Sequence, residues 1–402
     1  MSIRMKGVAL CLALVCGFGM KAQEYLHQVF VLNEGWSDWQ TGEVLIPPTL
    51  GVYDPGLQVY SVVQEIEGVG FISDAIISDG ALFVAADNQL LKFDIDTFDL
   101  LASTEVIGVR QLAVQNGMIY VTRGEVDDFG MNLPLNSYLQ WFEIENLMWM
   151  GELTTEDGPS YATEGISWLN GNLFIGINNA FDWGNEVGLI GEWNPTTNTY
   201  IEFDLGENGK NPYHMFATNE QLVTVNNRDY GSVSLSSLDP SNGQVQTYVV
   251  NDAASGCLAA AMDGTTLKFQ LSGEDAVRVA SLSDLENSSS WLTNAPEYYG
   301  VAIDPVSGHW YGSVTDYTTF GLVEIRNEEG EVVGSFDCGV SPGVICMDVR
   351  NVSEITTIQE LMSPMAPNAY FNVSGQSVLN EINACGMIID ASGNKIIRLG
   401  LE

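Results

Sequence analysis

The sequence predicts an all-β fold: a seven-bladed β-propeller with one blade shared by strands from both termini, a 3+1 closure, and a short β-rich C-terminal tail. Three observations predict it. The stretch 299–346 holds four short apolar runs (301–303, 310–314, 322–325 and 332–336) separated by turns such as DPVSG at 304–308 and NEEG at 327–330. In such turns Pro presets one dihedral and Gly accepts positive φ without steric cost. The same four-run unit recurs upstream, a turn glycine precedes the second run at Gly80, Gly117, Gly171, Gly264 and Gly308, and no linker interrupts the array. Finally, the N-terminal part supplies three runs without a fourth, and one run beyond the last full unit has no partners of its own. A four-stranded up-and-down sheet cannot bury both faces alone, so the copies must stack, and a ring closed by both termini leaves no open edge. An open β-sandwich or a pair of β domains is the alternative; neither accounts for an uninterrupted array of like units.

In chain order, residues 1–22 read as a secretory signal peptide: Arg4 and Lys6, then an apolar run shorter than the ~20 residues a bilayer crossing needs, then a cut after Ala22. Small residues do not stand directly before Cys11 or Cys16, so a lipid anchor is not expected, and no other segment is long and apolar enough to span a membrane. The propeller is expected over 23–350. Its first blade takes the runs 29–32, 50–53 and 57–63, with the missing strand supplied by 344–349. Full units then begin near Phe71, Val109, Gly165, Tyr213, Gly256 and Tyr299. The 328 residues from 23 to 350 divide into seven units of about 47. A connector follows at 351–367 and a β-rich tail at 368–402, whose end, MIIDASGNKIIRLGLE, resembles the closing hairpin of the C-terminal sorting domains read by type IX secretion machinery.

The chain has 14 basic and 52 acidic residues, a net charge of −38. Loss of Arg4, Lys6 and Lys21 with the signal peptide leaves 11 against 52, near −41. A field of that sign repels nucleic acid and anionic membrane surfaces, so neither is expected as a partner. Four cysteines would remain, Cys257, Cys338, Cys346 and Cys385, too few for a disulfide framework; a Cys338–Cys346 pair and two buried thiols are both open readings.

The loops joining the second and third strands of the blades are expected to gather on one rim. Five of them set an aspartate near an aromatic ring and then a glycine: Asp38 with Trp36 and Trp39, Asp127 with Phe129, Asp182 with Trp183, Asp229 with Tyr230, and Asp316 with Tyr317. One loop alone reads as a turn device, with Asp capping and Gly turning. Five together read as rings and hydrogen-bonding groups converging on a funnel for a bulky ligand with a flat face and polar edges. Arg123 and Arg228 join the candidate ligand-binding set because basic residues are scarce; each would hold an anionic group or pair with a local aspartate.

No catalytic constellation stands out. His27, His214 and His309 lie in different units, and the chain has no GxSxG elbow, Walker loop or dinucleotide fingerprint, so no cofactor is expected. A calcium-dependent hydrolase would draw on Glu34, Glu164, Asp229 and Asp304.

Two stretches, VFVLNEGW at 29–36 with LGVYDP at 50–55, and 299–343, resemble the YncE-like surface propellers of Bacteroidetes, a family whose domain is formally of unknown function. Its best understood members are BtuG-type cobalamin-binding propellers. The resemblance implies a secreted or outer-membrane surface protein that captures a corrinoid or similar bulky nutrient and passes it to a TonB-dependent transporter. A cell-surface scaffold for a protein or glycan is the alternative function.

Overall fold

The computed structural model describes residues 24–38, 41–127, 129–218, 220–228, 230–251, 259–351, 371–372, 386–389 and 395–398. Residues 1–22, expected as a signal peptide, Trp39, Asp229, Cys257, Cys385 and the expected 351–367 connector beyond Asn351 lie outside the described residues.

Residues Tyr25–Arg350 form one compact unit of seven four-stranded sheets, the blades of a propeller. Blade 1 has the order Pro342–Asn351, Glu24–Asn33, Thr49–Asp54, Val59–Glu65, so the C-terminal strand supplies its first position. Blades 2 to 7 are up-and-down meanders. They begin at Ile72–Ser78, Val109–Gln115, Thr163–Leu169, Pro212–Ala217, Ala260–Asp263 and Val301–Ile303. The expected units and the terminal closure are all present.

The middle strands read as continuous apolar runs because both of their faces are buried. Val29 and Val31 of VFVL pack with Tyr311, Val323 and Phe336 of blade 7, while Phe30 and Leu32 pack with Leu82, Val84 and Phe93 of blade 2. The two-residue period thus serves two cores at once. The same division gives one apolar cluster at each interface between neighbouring blades, seven among the described residues. The last of them closes the ring, and Tyr53 of blade 1 stacks on Phe336 of blade 7 at 4.1 Å and 8°. Each fully buried Phe or Leu contributes about 1.5–3 kcal/mol relative to exposure. Cys338 and Cys346 are free thiols inside these layers, and burial pushes both up to about 12, which keeps them unreactive.

Blades 2 to 5 share a feature that apolar patterning does not announce. In each, the pairing of the first strand with the second slips near its start, between Ile72 and Asp74, Val109 and Leu112, Thr163 and Ile166, and Pro212 and His214. These are β-bulges, which re-aim side chains at a sheet rim. The residues inside them are Ser73, Arg110 with Gln111, Glu164 with Gly165, and Tyr213. The backbone freed there finds side-chain partners. Thr122 Oγ1 accepts from the Gln111 amide, and Asp74 Oδ2 accepts from the Leu112 amide.

The tail is a separate three-stranded antiparallel sheet of Phe371–Asn372, Gly386–Ile389 and Lys395–Arg398.

Candidate functional site

Loops between second and third strands share one end of the ring with the connections between blades, because a recurring backbone hydrogen bond ties each to the other. Glu34 N donates to Ser341 O (2.9 Å), Asp87 N to Phe71 O (3.1 Å), Gly124 N to Gly108 O (2.9 Å), Asn178 N to Ala162 O (3.1 Å) and Asn227 N to Asn211 O (2.8 Å). The bulged starts of the first strands lie next to these connections, so their side chains meet the loops at the mouth of the ring.

At that mouth Arg110 and Glu164 form a two-pronged ion pair at 2.8–3.1 Å. The guanidinium also lies 5.8 Å from the Phe71 ring and 5.4 Å from the Phe181 ring. Contacts of a cation with ring faces contribute about 0.5–2 kcal/mol each, more where water is excluded. Gly124 makes room for Phe181, since a Cβ there would meet the ring. On the blade 7 side, the Tyr299 hydroxyl donates to both carboxyl oxygens of Glu34 (2.8 and 2.9 Å), and Gly343 leaves the space that Glu34 Oε1 occupies. Burial raises the Glu34 carboxyl to about 8, against the lowering effects of the Tyr299 hydroxyl and the Arg110 charge. Asp74, deeper on the first strand of blade 2, is likewise raised by burial, to about 7. Both residues are half-buried. The Arg110 charge lowers both the Glu34 carboxyl and the Tyr230 phenol, against the larger raising effect of burial on each.

The loop aspartates prove to be turn caps wherever they are described. Asp127 Oδ1 accepts from the Phe129 and Met131 amides (2.9 Å each), and Asp316 accepts from the amides and hydroxyls of Thr318 and Thr319. Those bonds hold the Asp316 carboxyl well below the usual range. Asp38 Oδ1 accepts from the Thr41 amide (3.4 Å), and Asp182 Oδ1 accepts from Asn185 Nδ2 (3.0 Å) in a turn closed by the Asn185 amide on the Asp182 carbonyl (2.9 Å). The capped turns push the rings outward: Phe129 is 88 % exposed, Trp183 69 %, Tyr317 48 % and Trp36 40 %. Trp183 stacks on Tyr230 at 5.1 Å and 28°, and Tyr317 meets Tyr299 edge-on at 5.1 Å. The structure therefore brings Trp183 with Tyr230, and Tyr317 with the Tyr299–Glu34 pair. Trp36 sits on a short hairpin of Trp36–Ser37 and Val44–Ile46. Trp39 and Asp229 are outside the described residues.

Arg123 is placed away from the rim surface. It is 7 % exposed and donates to the carbonyls of Ile107 (3.0 Å) and Ser137 (2.8 Å), so its charge braces loop backbone and is not presented to a ligand. Arg228 is half-buried in the turn where the Tyr230 amide donates to Asn227 O (2.8 Å). Patterning missed Phe71, Arg110, Phe181 and Tyr299; of these Arg110 lies in a bulge, which apolar patterning does not mark. Of the carboxylates named for a calcium site, Glu34 is held by Tyr299 and Glu164 by Arg110, while Asp304 caps the turn to Val306 and Ser307 between the first two strands of its blade. No group of three potential metal ligands occurs among the described residues.

No family model matches the chain, and no curated protein matches it in sequence. Solved structures do match. One is a hypothetical selenium-binding protein from Sulfolobus tokodaii, with a TM-score of 0.59, 13 % identity, and coverage of 83 % of this chain and 95 % of that one. Another is a provisionally assigned 6-phosphogluconolactonase from Bacteroides fragilis (TM-score 0.54, 13 % identity, 81 % and 98 % coverage). A functionally unknown protein from Desulfotomaculum acetoxidans is similar too (0.54, 14 %, 80 % and 98 %). At these identities the likeness is one of fold.

Proposed function

We propose that this chain is an exported, surface-displayed propeller that captures a bulky ring-bearing ligand on its loop rim without transforming it. One observation carries the reading. Tyr230 (φ 56°) and Tyr317 (φ 65°) hold their rings from backbone in the left-handed region, where a bulky residue is disfavoured and glycine is the ordinary choice. Phe98 and Leu147 share this geometry but pack into the apolar layers, whereas Tyr230 and Tyr317 stand at the rim, and strain of this kind clusters at ligand sites. Trp183, stacked on one of these rings and largely exposed, extends the platform.

A corrinoid is the first ligand to test, on the resemblance to the YncE-like surface propellers, and a TonB-dependent transporter is the partner that resemblance brings. The experiment is calorimetric titration of the mature protein with cyanocobalamin, beside a Trp183→Ala, Tyr230→Ala double variant. Binding in the wild type that the double variant weakens at least tenfold supports the reading; no heat from either protein removes the corrinoid.

The second reading, a scaffold for a surface protein or glycan, draws on Phe129 and on Phe320, whose ring is also almost fully exposed. Exposed rings standing out from a rim suit a flat partner better than a funnel.

A further inference from the structure

In a chain with 52 acidic residues, a cation readily finds a carboxylate. Among the described residues of the propeller, six Arg or Lys side chains are ion-paired, and Lys92 and Arg123 donate to backbone carbonyls. Arg228 alone has no hydrogen-bonding or ion-pair partner among the described residues. It stands two residues from Tyr230 in one tight turn, and both have left-handed backbone, φ 32° and 56°. A turn that keeps a guanidinium and a phenol in this disfavoured geometry presents the two together, beside the exposed Trp183 stacked on Tyr230. At the root of the Trp183 loop, the fully buried Asn178 Nδ2 is a second donor with no acceptor among the described residues, while its Oδ1 takes the Ala180 amide. A guanidinium left without an acceptor in the turn that carries an exposed ring pair calls for a ligand that brings one.

We propose that the rim takes a ligand whose flat conjugated ring lies on the Trp183–Tyr230 pair and whose anionic group, a carboxylate or phosphate, pairs with Arg228. This rests on the ring-capture reading and names its substrate class. A guanidinium suits the task because its planar fork matches both anions with two parallel hydrogen bonds. The overall negative field opposes the approach of such a ligand, but at physiological salt it is screened beyond about 8 Å, so the local pair decides affinity.

The test uses riboflavin and flavin mononucleotide, which share one flat ring and differ by a phosphate. Flavin fluorescence quenching is followed in wild type, Arg228→Gln, Arg228→Lys and Trp183→Ala. The proposal expects the phosphorylated flavin to bind wild type at least tenfold tighter than riboflavin. Arg228→Gln closes that gap, Arg228→Lys keeps part of it, and Trp183→Ala weakens both flavins. Equal binding of the two flavins, unchanged in Arg228→Gln, overturns the anionic partner and leaves ring capture standing. Binding of cyanocobalamin, whose corrin faces are covered by axial ligands and amide arms, but of neither flavin, with an affinity unchanged in Arg228→Gln, overturns the pairing of a bare flat ring with an anion held by Arg228. Failure of all three ligands counts against ring capture itself and takes this proposal with it.

Discussion

Glu34 holds its proton more tightly in the folded chain than in the unfolded one, because burial lifts its carboxyl from an ordinary 4.5 to about 8. The sign follows by linkage. Between those values the native state binds more protons, so stability falls as pH rises. The contribution is complete below about pH 4.5 and gone above about pH 8. Asp74, raised by the same cause to about 7, adds a decline in the same direction. Glu34→Gln keeps the shape and the Tyr299 contact but cannot ionise. Its urea midpoint is expected to fall less than that of the wild type between pH 6 and pH 9, the remaining slope belonging to Asp74. Equal slopes in the two proteins would show that water in the mouth of the ring already hydrates the Glu34 carboxylate. Residue by residue, the site was half legible. Asp, ring and Gly in one loop spell a capped turn, so Trp183, Tyr230 and Tyr317 could be read. The roles of Arg110 and Glu164 could not, since nothing in RQLAV or TEGIS says that these side chains leave the pleat.

At the level of elements, strands were readable and their irregularities were not. Runs such as ALFVAA and LFIGI are apolar throughout because each face meets a neighbouring blade, and the turn glycines fix where they start. A bulge changes neither composition nor period enough to be seen, although the four bulges build the mouth of the ring. The loop 315–319 shows how an element trades stability for presentation. Tyr317 at φ 65° carries a backbone cost of about 1–2 kcal/mol, partly offset by its edge contact with Tyr299, about 0.5–1.5 kcal/mol. Asn tolerates the left-handed region, so Tyr317→Asn is expected to change unfolding free energy by no more than about 1 kcal/mol while weakening ligand binding. Thermal melts beside a cyanocobalamin titration separate the two effects. A loss above about 2 kcal/mol would make the ring a structural brace of Glu34 and Tyr299.

The whole molecule depends on one strand from far along the chain. Pro342–Asn351 occupies the first position of a blade whose other strands lie within residues 24–65, and Gln28 Nε2 donates to Asp348 Oδ2 (3.0 Å) and to Ile95 O (2.7 Å) across the seam. Arg350 adds ion pairs of 2.7 Å to Asp348 and to Asp96 of blade 2. With the strand absent, Glu24–Asn33 would expose a row of unpaired amides and carbonyls, and its apolar faces would lose the cover of Ile345 and Val344. Two truncations separate closure from mere length. A chain of residues 24–351 retains every blade strand and is expected to unfold in one transition with a midpoint close to that of a chain of residues 23–402. A chain of residues 24–341 lacks only ten residues more, yet is expected to lose that cooperative transition and to self-associate through its open edge, read by light scattering with circular dichroism. A monomeric, cooperatively folded 24–341 chain would mean that six blades and three strands hold the ring without their clasp, and that the terminal strand serves the rim loops beside Ser341 and Glu34 more than the fold.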